Sequence, residues 1–203
     1  HYVVNGYKRW TSGGGHSDYY VTYCRYNDEP GAKGIGAILL ERDAPGMQFG
    51  KREQLMGFRG IETADFAIED VRVPRENVIV GAGGFGKLMS AFGLERCGNA
   101  TQSLGVAAAA LEQATQYVQE RQAFGKPIVE FQAVQIKLAE MAMKVEAARL
   151  LIHRAAANAA HQSDGLPTVY ESSLAKCYAN EIVREVASMG IQVMGGYGYH
   201  KDY

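Results

Sequence analysis

The sequence predicts an α+β protein: a small antiparallel β domain over residues 1–84, then a four-helix-bundle-like helical domain over residues 85–203. Two observations predict it. Up to about Val80, apolar side chains alternate or gather in short runs between turn residues; from about Phe85 they recur at steps of three and four.

In the first half, Asn5-Gly6 sits between the strand-like runs 2–4 and 7–10 and is a hairpin signal, because a two-residue type I′ turn needs positive φ at both central positions. Residues 19–26 are β-branched and aromatic, and 36–40 and 64–73 are short apolar or alternating runs. Turn clusters at 27–34 and 43–46 separate them, and Pro74 is expected to close the last strand. In the second half, Leu104, Ala107, Ala108, Leu111, Ala114 and Val118 form one apolar stripe. Gly125 and Pro127 break that helix. Val134, Leu138, Met141, Val145, Ala148 and Ile152 form a second stripe, the loop 163–167 ends it, and a third helix runs from about Tyr170 to Met194. Three long striped helices resemble a four-helix bundle without its last member. The alanines at 107–110 and 155–160 predict close helix packing.

Composition narrows the function classes. With 47% hydrophobic and 21% charged residues the chain is of ordinary globular type. A net charge of -1 argues against nucleic acid or an anionic membrane as the main partner, since both call for a basic surface. The longest apolar stretches, such as 106–111, fall far short of the ~20 residues that span a bilayer. Cys24, Cys97 and Cys177 suit free thiols in a reducing compartment. The first residue is His1, not Met, and the Gly- and Tyr-rich end at 195–203 has no closing helix, so a fragment is expected.

Two motifs point toward nicotinamide chemistry and are set aside. Gly81-Ala-Gly83-Gly-Phe-Gly86 fits G-x-G-x-x-G, and Tyr197-x-x-x-Lys201 resembles a short-chain dehydrogenase pair. A dinucleotide fingerprint requires a strand, a helix and a second parallel strand within ~30 residues; here a helix of some length leads only to more helix. The five histidines lack metal-ligand spacing, so no metal site is expected, and His153 and His161 read as helix surface.

The helical half carries a sharper string: Gln119-Glu-Arg121-Gln-Ala-Phe124-Gly125-Lys126-Pro-Ile128, then Phe131-Gln132. Alone, Arg121 could be a C-terminal helix cation and Gly125 a helix stop. The whole string resembles the "ERxxFGxxxxxxQ" segment of the acyl-CoA dehydrogenase family. Further ordered matches extend the resemblance over nearly all 203 residues: Tyr2-Val-Val-Asn-Gly6-x-Lys8-x-Trp10-Thr-Ser12, Lys33-Gly34-Ile35, Met56-Gly57-x-Arg59-Gly60, Glu69-Asp70-Val71-Arg72-Val73-Pro74, and Gln192-x-x-Gly195-Gly196-Tyr-Gly198-Tyr199-x-x-Asp202. The family's N-terminal helical domain and its C-terminal helix are absent from this chain.

The resemblance implies FAD, held in family members between the β domain, the helical bundle and a neighbouring subunit. Trp10, Thr11 and Ser12 would meet the isoalloxazine ring near N5; the family often has Ile-Thr where this chain has Thr11-Ser12, and a Ser hydroxyl can still donate. Arg121 would reach the pyrophosphate, where a planar fork matches phosphate oxygens. Phe124 would lie against the adenine portion, with Ile128 and Gln132 nearby, and Gln192, Val193, Met194, Gly195 and Gly196 would add a backbone cradle from the partner subunit. A shared cofactor implies a homo-oligomer, a dimer at least, and the family's usual form is a tetramer.

The implied chemistry is α,β-desaturation of an acyl-CoA thioester, which needs a carboxylate base in a largely dry pocket. Most relatives carry that base on a C-terminal loop beyond this chain. A minority, including the isovaleryl and long-chain enzymes, carry it on the first bundle helix directly before an Arg, and Leu94-Glu95-Arg96 resembles that pattern. Glu95 is then the expected base, with the missing C-terminal segment as the alternative; Leu94 and Arg96 are expected at the substrate. Gly93 stands where some relatives carry an Asp near the CoA pantetheine. The implied electron acceptor is an electron-transferring flavoprotein. The implied location is intracellular, in a bacterial cytoplasm or mitochondrial matrix. An oxygen-using oxidase and a non-catalytic assembly protein on the same fold are the rival functions.

Overall fold

The computed structural model describes residues 1–202. The chain forms two compact units, His1–Met89 and a second from Ser90 onward. The first unit holds β1 (Tyr2–Ser12), β2 (Tyr19–Arg25), β3 (Ile35–Glu41), β4 (Met47–Phe49), β5 (Thr63–Val73) and β6 (Val78–Val80). They make two three-stranded sheets, in the orders β1-β5-β4 and β2-β3-β6, with every pairing antiparallel. The sheets share one core: Val4, Phe66, Ile68, Val71 and Val73 from the first meet Tyr20, Ile38 and Leu40 from the second. In β2 the alternation is clean, with Tyr20 and Thr22 buried while Tyr19, Val21 and Tyr23 are exposed.

Asn5-Gly6 does not make the expected hairpin. β1 runs straight through it, and the ladder to β5 absorbs the pair as a register shift between Val4 and Gly6. The reason lies across the sheet. Asn5 donates to the Asp70 carboxylate at 2.9 Å and accepts from the Asp70 backbone N–H at 2.8 Å, so its amide is used in bridging two strands rather than in turning one. Pro74 does end β5, but it is not the end of the β unit, because β6 follows and pairs with β3. β4 and β6 are three residues each, too short to show a period.

The second architecture is helical: α1 (Phe85–Glu120), α2 (Gln132–Ala159) and α3 (Val169–Met194). The boundary between the compact units falls inside α1, which begins before Ser90. Its core takes Ala100, Leu104, Ala107, Ala114 and Val118 from α1, Met141, Val145, Ala148 and Ile152 from α2, and Ala175, Ala179, Ile182 and Val186 from α3. Burial of each large aliphatic chain here contributes ~1.5–3 kcal/mol, and fully buried alanines let the helix axes approach.

Between α1 and α2 lies a small hairpin, β7 (Gln122–Ala123) with β8 (Lys126–Pro127). Phe124 and Gly125 form its tip, both at positive φ (54° and 80°). α3 starts at a side-chain N-cap: the Thr168 hydroxyl accepts from the Glu171 N–H at 3.2 Å and donates to the Glu171 carboxylate at 2.9 Å. The G-x-G-x-x-G segment leads from β6 into α1, but β6 pairs antiparallel with β3 at the edge of its sheet.

Candidate active site

In the β unit the expected flavin-side residues sit at the end of β1. Thr11 pairs with Ala64 and Ser12 with Thr63. Both side chains line a hollow of about 310 Å³ together with Lys8, Tyr20, Thr22 and Phe66. The turn beyond is pinned by Tyr20, whose hydroxyl donates to the Gly13 carbonyl at 2.8 Å and accepts from the Gly15 N–H at 2.9 Å. Trp10 is 56% exposed, and its φ of 59° is uncommon for a bulky residue, a conformation that costs ~1–3 kcal/mol. The ladder to β5 shifts register between Lys8 and Thr11, so Arg9 and Trp10 form a bulge.

Asp65 on β5 holds this bulge. It is 8% exposed and receives three donors: the Tyr7 hydroxyl at 2.6 Å, the Trp10 backbone N–H at 3.0 Å and the Arg9 guanidinium at 3.0 Å. The Tyr7 hydroxyl does most to hold the Asp65 carboxyl below the usual range, with the Trp10 N–H and the Arg9 charge adding to it. Reciprocally, the hydrogen bond to Asp65 pushes the Tyr7 phenol up. No motif flagged Asp65; an acid inside an apolar strand run was the available signal.

In the helical unit Leu94 and Glu95 are both exposed on α1. Small residues flank Glu95 on its own face, Ala91 one turn before and Gly98 one turn after, and both are exposed. Arg96 is half-buried. One terminal nitrogen of its guanidinium is buried without a hydrogen-bond partner among the described residues, and such a donor calls for an acceptor. Gly93 is buried on the opposite side of the turn, where a Cβ would meet the Pro167 carbonyl oxygen at 2.9 Å.

A pocket of about 470 Å³ brings several expected cofactor residues together. Its walls are Tyr117, Arg121, Ile128, Val193, Met194, Gly195, Gly196, Tyr197 and His200. Arg121 follows the last turn of α1, and its N–H bonds to the Tyr117 carbonyl at 2.9 Å. Its guanidinium carbon lies 5.7 Å from the centre of the Tyr197 ring, which itself leans on Tyr117 at 6.2 Å. Gly195 takes φ 61° at the end of α3, and at Gly196 a Cβ would meet nothing within 4 Å. A cation, open backbone and apolar walls suit a nucleotide diphosphate. Arg121 and the 193–196 segment share a pocket within one chain.

Phe124, Gln132 and Gln192 do not line this pocket. Phe124 is 95% exposed at the hairpin tip, 6.0 Å from Phe131, and Gln132 and Gln192 are exposed at the start of α2 and the end of α3. Tyr117, Tyr197 and His200 join the pocket without having been expected there. Tyr117 lies one turn before Arg121, a spacing that could have pointed to it. Among the described residues no cluster of His, Cys, Asp or Glu could hold a metal ion, and the three cysteines are free. No helix is long and apolar enough to cross a membrane among them.

Two sheets packed as one unit, followed by three long helices, define a recognisable architecture. Residues 1–71 match the family model of the acyl-CoA dehydrogenase middle domain, and residues 82–203 that of the acyl-CoA dehydrogenase C-terminal domain. The chain belongs to the acyl-CoA dehydrogenase family. It is 37% identical over its whole length to a short-chain-specific acyl-CoA dehydrogenase of Megasphaera elsdenii, covering 52% of that protein. It is 39% identical to the CarC subunit of a caffeyl-CoA reductase–Etf complex from Acetobacterium woodii, covering 53% of it. The solved structure of butyryl-CoA dehydrogenase from Megasphaera elsdenii superposes on all of this chain with a TM-score of 0.93, at 37% identity and over 52% of its own length. The chain thus spans about half the length of the curated relatives it matches.

Proposed function

We propose that the polypeptide carrying this chain is an FAD-dependent acyl-CoA dehydrogenase that introduces an α,β double bond into an acyl-CoA thioester. The observation that carries the cofactor reading is the 470 Å³ pocket in which Arg121, Ile128 and the 193–196 segment converge. Arg121 offers two parallel donors to a pyrophosphate, and the Gly195-Gly196 backbone leaves room for it. When bound, the flavin supplies the acceptor for the hydride that leaves the β-carbon.

Glu95 takes the α-proton. Its carboxylate stands on a face of α1 bordered by Ala91 and Gly98, which leaves space beside it for an acyl chain. Substrate bound over that face would exclude water from the carboxylate as it takes the proton. Arg96, the next residue along the helix, holds the CoA portion of the substrate through its guanidinium. Trp10, Thr11 and Ser12 pack against the flavin ring, and Ser12 donates a hydrogen bond to it.

The electron acceptor is an electron-transferring flavoprotein, which the similarity to an Etf-complex subunit supports. The same relative is a caffeyl-CoA reductase subunit, and that favours a second reading in which the enzyme works in the reducing direction on an enoyl-CoA. The protein assembles as a homo-oligomer, two dimers to a tetramer, with the cofactor shared. A single experiment tests the whole: the purified full-length protein shows a bound-flavin band that a panel of acyl-CoAs bleaches without oxygen. A colourless protein that takes up no FAD sinks this reading. Bleaching by none of the acyl-CoAs, with reoxidation of dithionite-reduced enzyme by an enoyl-CoA, selects the reducing direction.

A further inference from the structure

We infer that Asp65 is a positioning residue for Trp10, gripping it at the backbone and, through Arg9, at the ring. The inference rests on the reading that Trp10 packs against the flavin.

The geometry is two-handed. One carboxylate oxygen of Asp65 accepts from the Trp10 backbone N–H at 3.0 Å and fixes the main chain at the bulge. The other accepts from the Tyr7 hydroxyl at 2.6 Å and pairs with the Arg9 guanidinium at 3.0 Å. That guanidinium lies over the Trp10 indole, its central carbon 4.6 Å from the ring centre, and its other arm faces Glu53 at 3.6 Å. A cation stacked on an indole restrains the ring plane. Asp65 thus restrains both the φ of 59° that lifts Trp10 out of the ladder and the face that the indole presents. An uncharged residue at 65 could keep at most the first restraint. Burial of the carboxylate makes the grip stiff, since a group only 8% exposed has little water to trade partners with. Positioning of this kind matters to hydride transfer, where a displacement of ~1 Å costs ~10²-fold in rate.

The test uses the full-length polypeptide in two states. In the cofactor-free protein, the fluorescence anisotropy of Trp10 is isolated by subtracting the signal of the Trp10→Phe variant. In the FAD-loaded protein, the rate of flavin bleaching by acyl-CoA and the FAD dissociation constant are measured. Asp65→Ala is expected to lower Trp10 anisotropy and slow bleaching ~10- to 100-fold, with the FAD dissociation constant within about twofold because the pyrophosphate contacts are untouched. Asp65→Asn, which keeps an acceptor for the Trp10 N–H but lacks the charge that holds Arg9, is expected to fall between. Should Asp65→Ala not fold, Asp65→Asn and Arg9→Gln carry the comparison, each expected to lower the anisotropy. Unchanged anisotropy in folded Asp65 variants overturns the inference while leaving the flavoenzyme reading standing. Lowered anisotropy with an unchanged bleaching rate overturns the catalytic half. A wild-type protein that binds no flavin overturns the functional reading instead, a result the anisotropy measurement does not depend on.

Discussion

Arg121 stacks on Tyr197, with its guanidinium carbon 5.7 Å from the ring centre, and so ties the end of α1 to the turn that follows α3. Arg121 lines the 470 Å³ pocket, where a planar fork can offer two parallel hydrogen bonds to the diphosphate of the proposed cofactor. Arg121→Lys keeps the charge but loses the fork and much of the stacking. The expected outcome is an FAD dissociation constant raised ~10- to 100-fold, equivalent to one charge-assisted bond of ~1.5–3 kcal/mol. Tyr197→Leu removes the ring beneath the guanidinium but leaves Arg121 itself in place, and should raise it less. Titration of cofactor-free protein with FAD, followed by flavin fluorescence, measures both; a dissociation constant unchanged by Arg121→Lys would take the pyrophosphate away from this pocket.

Glu95→Gln separates proton removal from cofactor binding. The amide is nearly isosteric with the carboxylate but cannot take a proton, and a general base is worth ~10²–10⁴-fold. The variant should keep its full flavin band and lose anaerobic bleaching by at least the lower figure. Near-normal bleaching would move the base to a segment outside these residues.

Much of the fold was legible because long elements average over their exceptions. The stripes Leu104 to Val118 and Val134 to Ile152 repeat often enough that one stray position does not shift the phase, and both face the core. Short elements lack that averaging. β4 and β6 are three residues each, and nothing in Met47-Gln48-Phe49 distinguishes a strand from a loop until β5 pairs with it. Asn5-Gly6 failed for another reason: turn chemistry is local, but Asn5 is bonded to Asp70, 65 residues away. The tight turn is instead at Phe124-Gly125, where a bulky residue at positive φ gives no sequence cue. At the site, residues named by the resemblance converge in part on one pocket, whereas Asp65 and Tyr117 left only faint signals in the sequence, because the partners that reveal them, Tyr7 to Trp10 for the one and Tyr197 for the other, are distant along the chain.

Acid stability should carry a contribution from Asp65. Its folded pKa is depressed by the Tyr7 hydroxyl, the Trp10 N–H and Arg9, while Glu53 is the nearby acid facing Arg9. A depressed carboxylate contributes stability that is present above its unfolded value of ~3.9 and is lost as pH falls through the lower folded value. The Tyr7 phenol is raised, so its contribution is full below ~10 and is lost as pH rises through its higher folded value. Urea midpoints of wild type and Asp65→Asn across this range should therefore converge toward the acid end and differ most near neutrality. A constant difference down to the acid limit would mean that the carboxylate charge plays no part.

The Thr168 N-cap of α3 gives a prediction about stability alone. Thr168→Ala removes the side-chain acceptor of the Glu171 N–H and frees the Glu171 carboxylate from one of its donors, leaving Asn158 at 2.6 Å and Arg154 at 3.8 Å. The expected loss is ~1 kcal/mol. It should appear as a lower urea midpoint at unchanged slope and without effect on FAD affinity.

Two glycines on opposite sides of α1, Gly93 buried and Gly98 exposed, should respond to alanine with opposite signs. At Gly93 a Cβ would stand 2.9 Å from the Pro167 carbonyl oxygen, a backbone atom that cannot swing aside, so the loop before α3 must move. Overpacking of that sort costs ~1–3 kcal/mol and outweighs the ~1 kcal/mol that helix propensity returns. At Gly98 a Cβ meets nothing within 4 Å in this chain, and propensity acts alone to stabilise. Gly98, however, is one turn beyond Glu95 on the face proposed to receive the acyl chain. Gly98→Ala should therefore leave thermal stability equal or higher while raising the KM for bulky acyl-CoAs. Gly93→Ala should lower the melting temperature and leave that KM nearly unchanged. If both variants instead lower stability and neither alters acyl selectivity, the open face beside Glu95 is a packing surface and not the acyl-chain site.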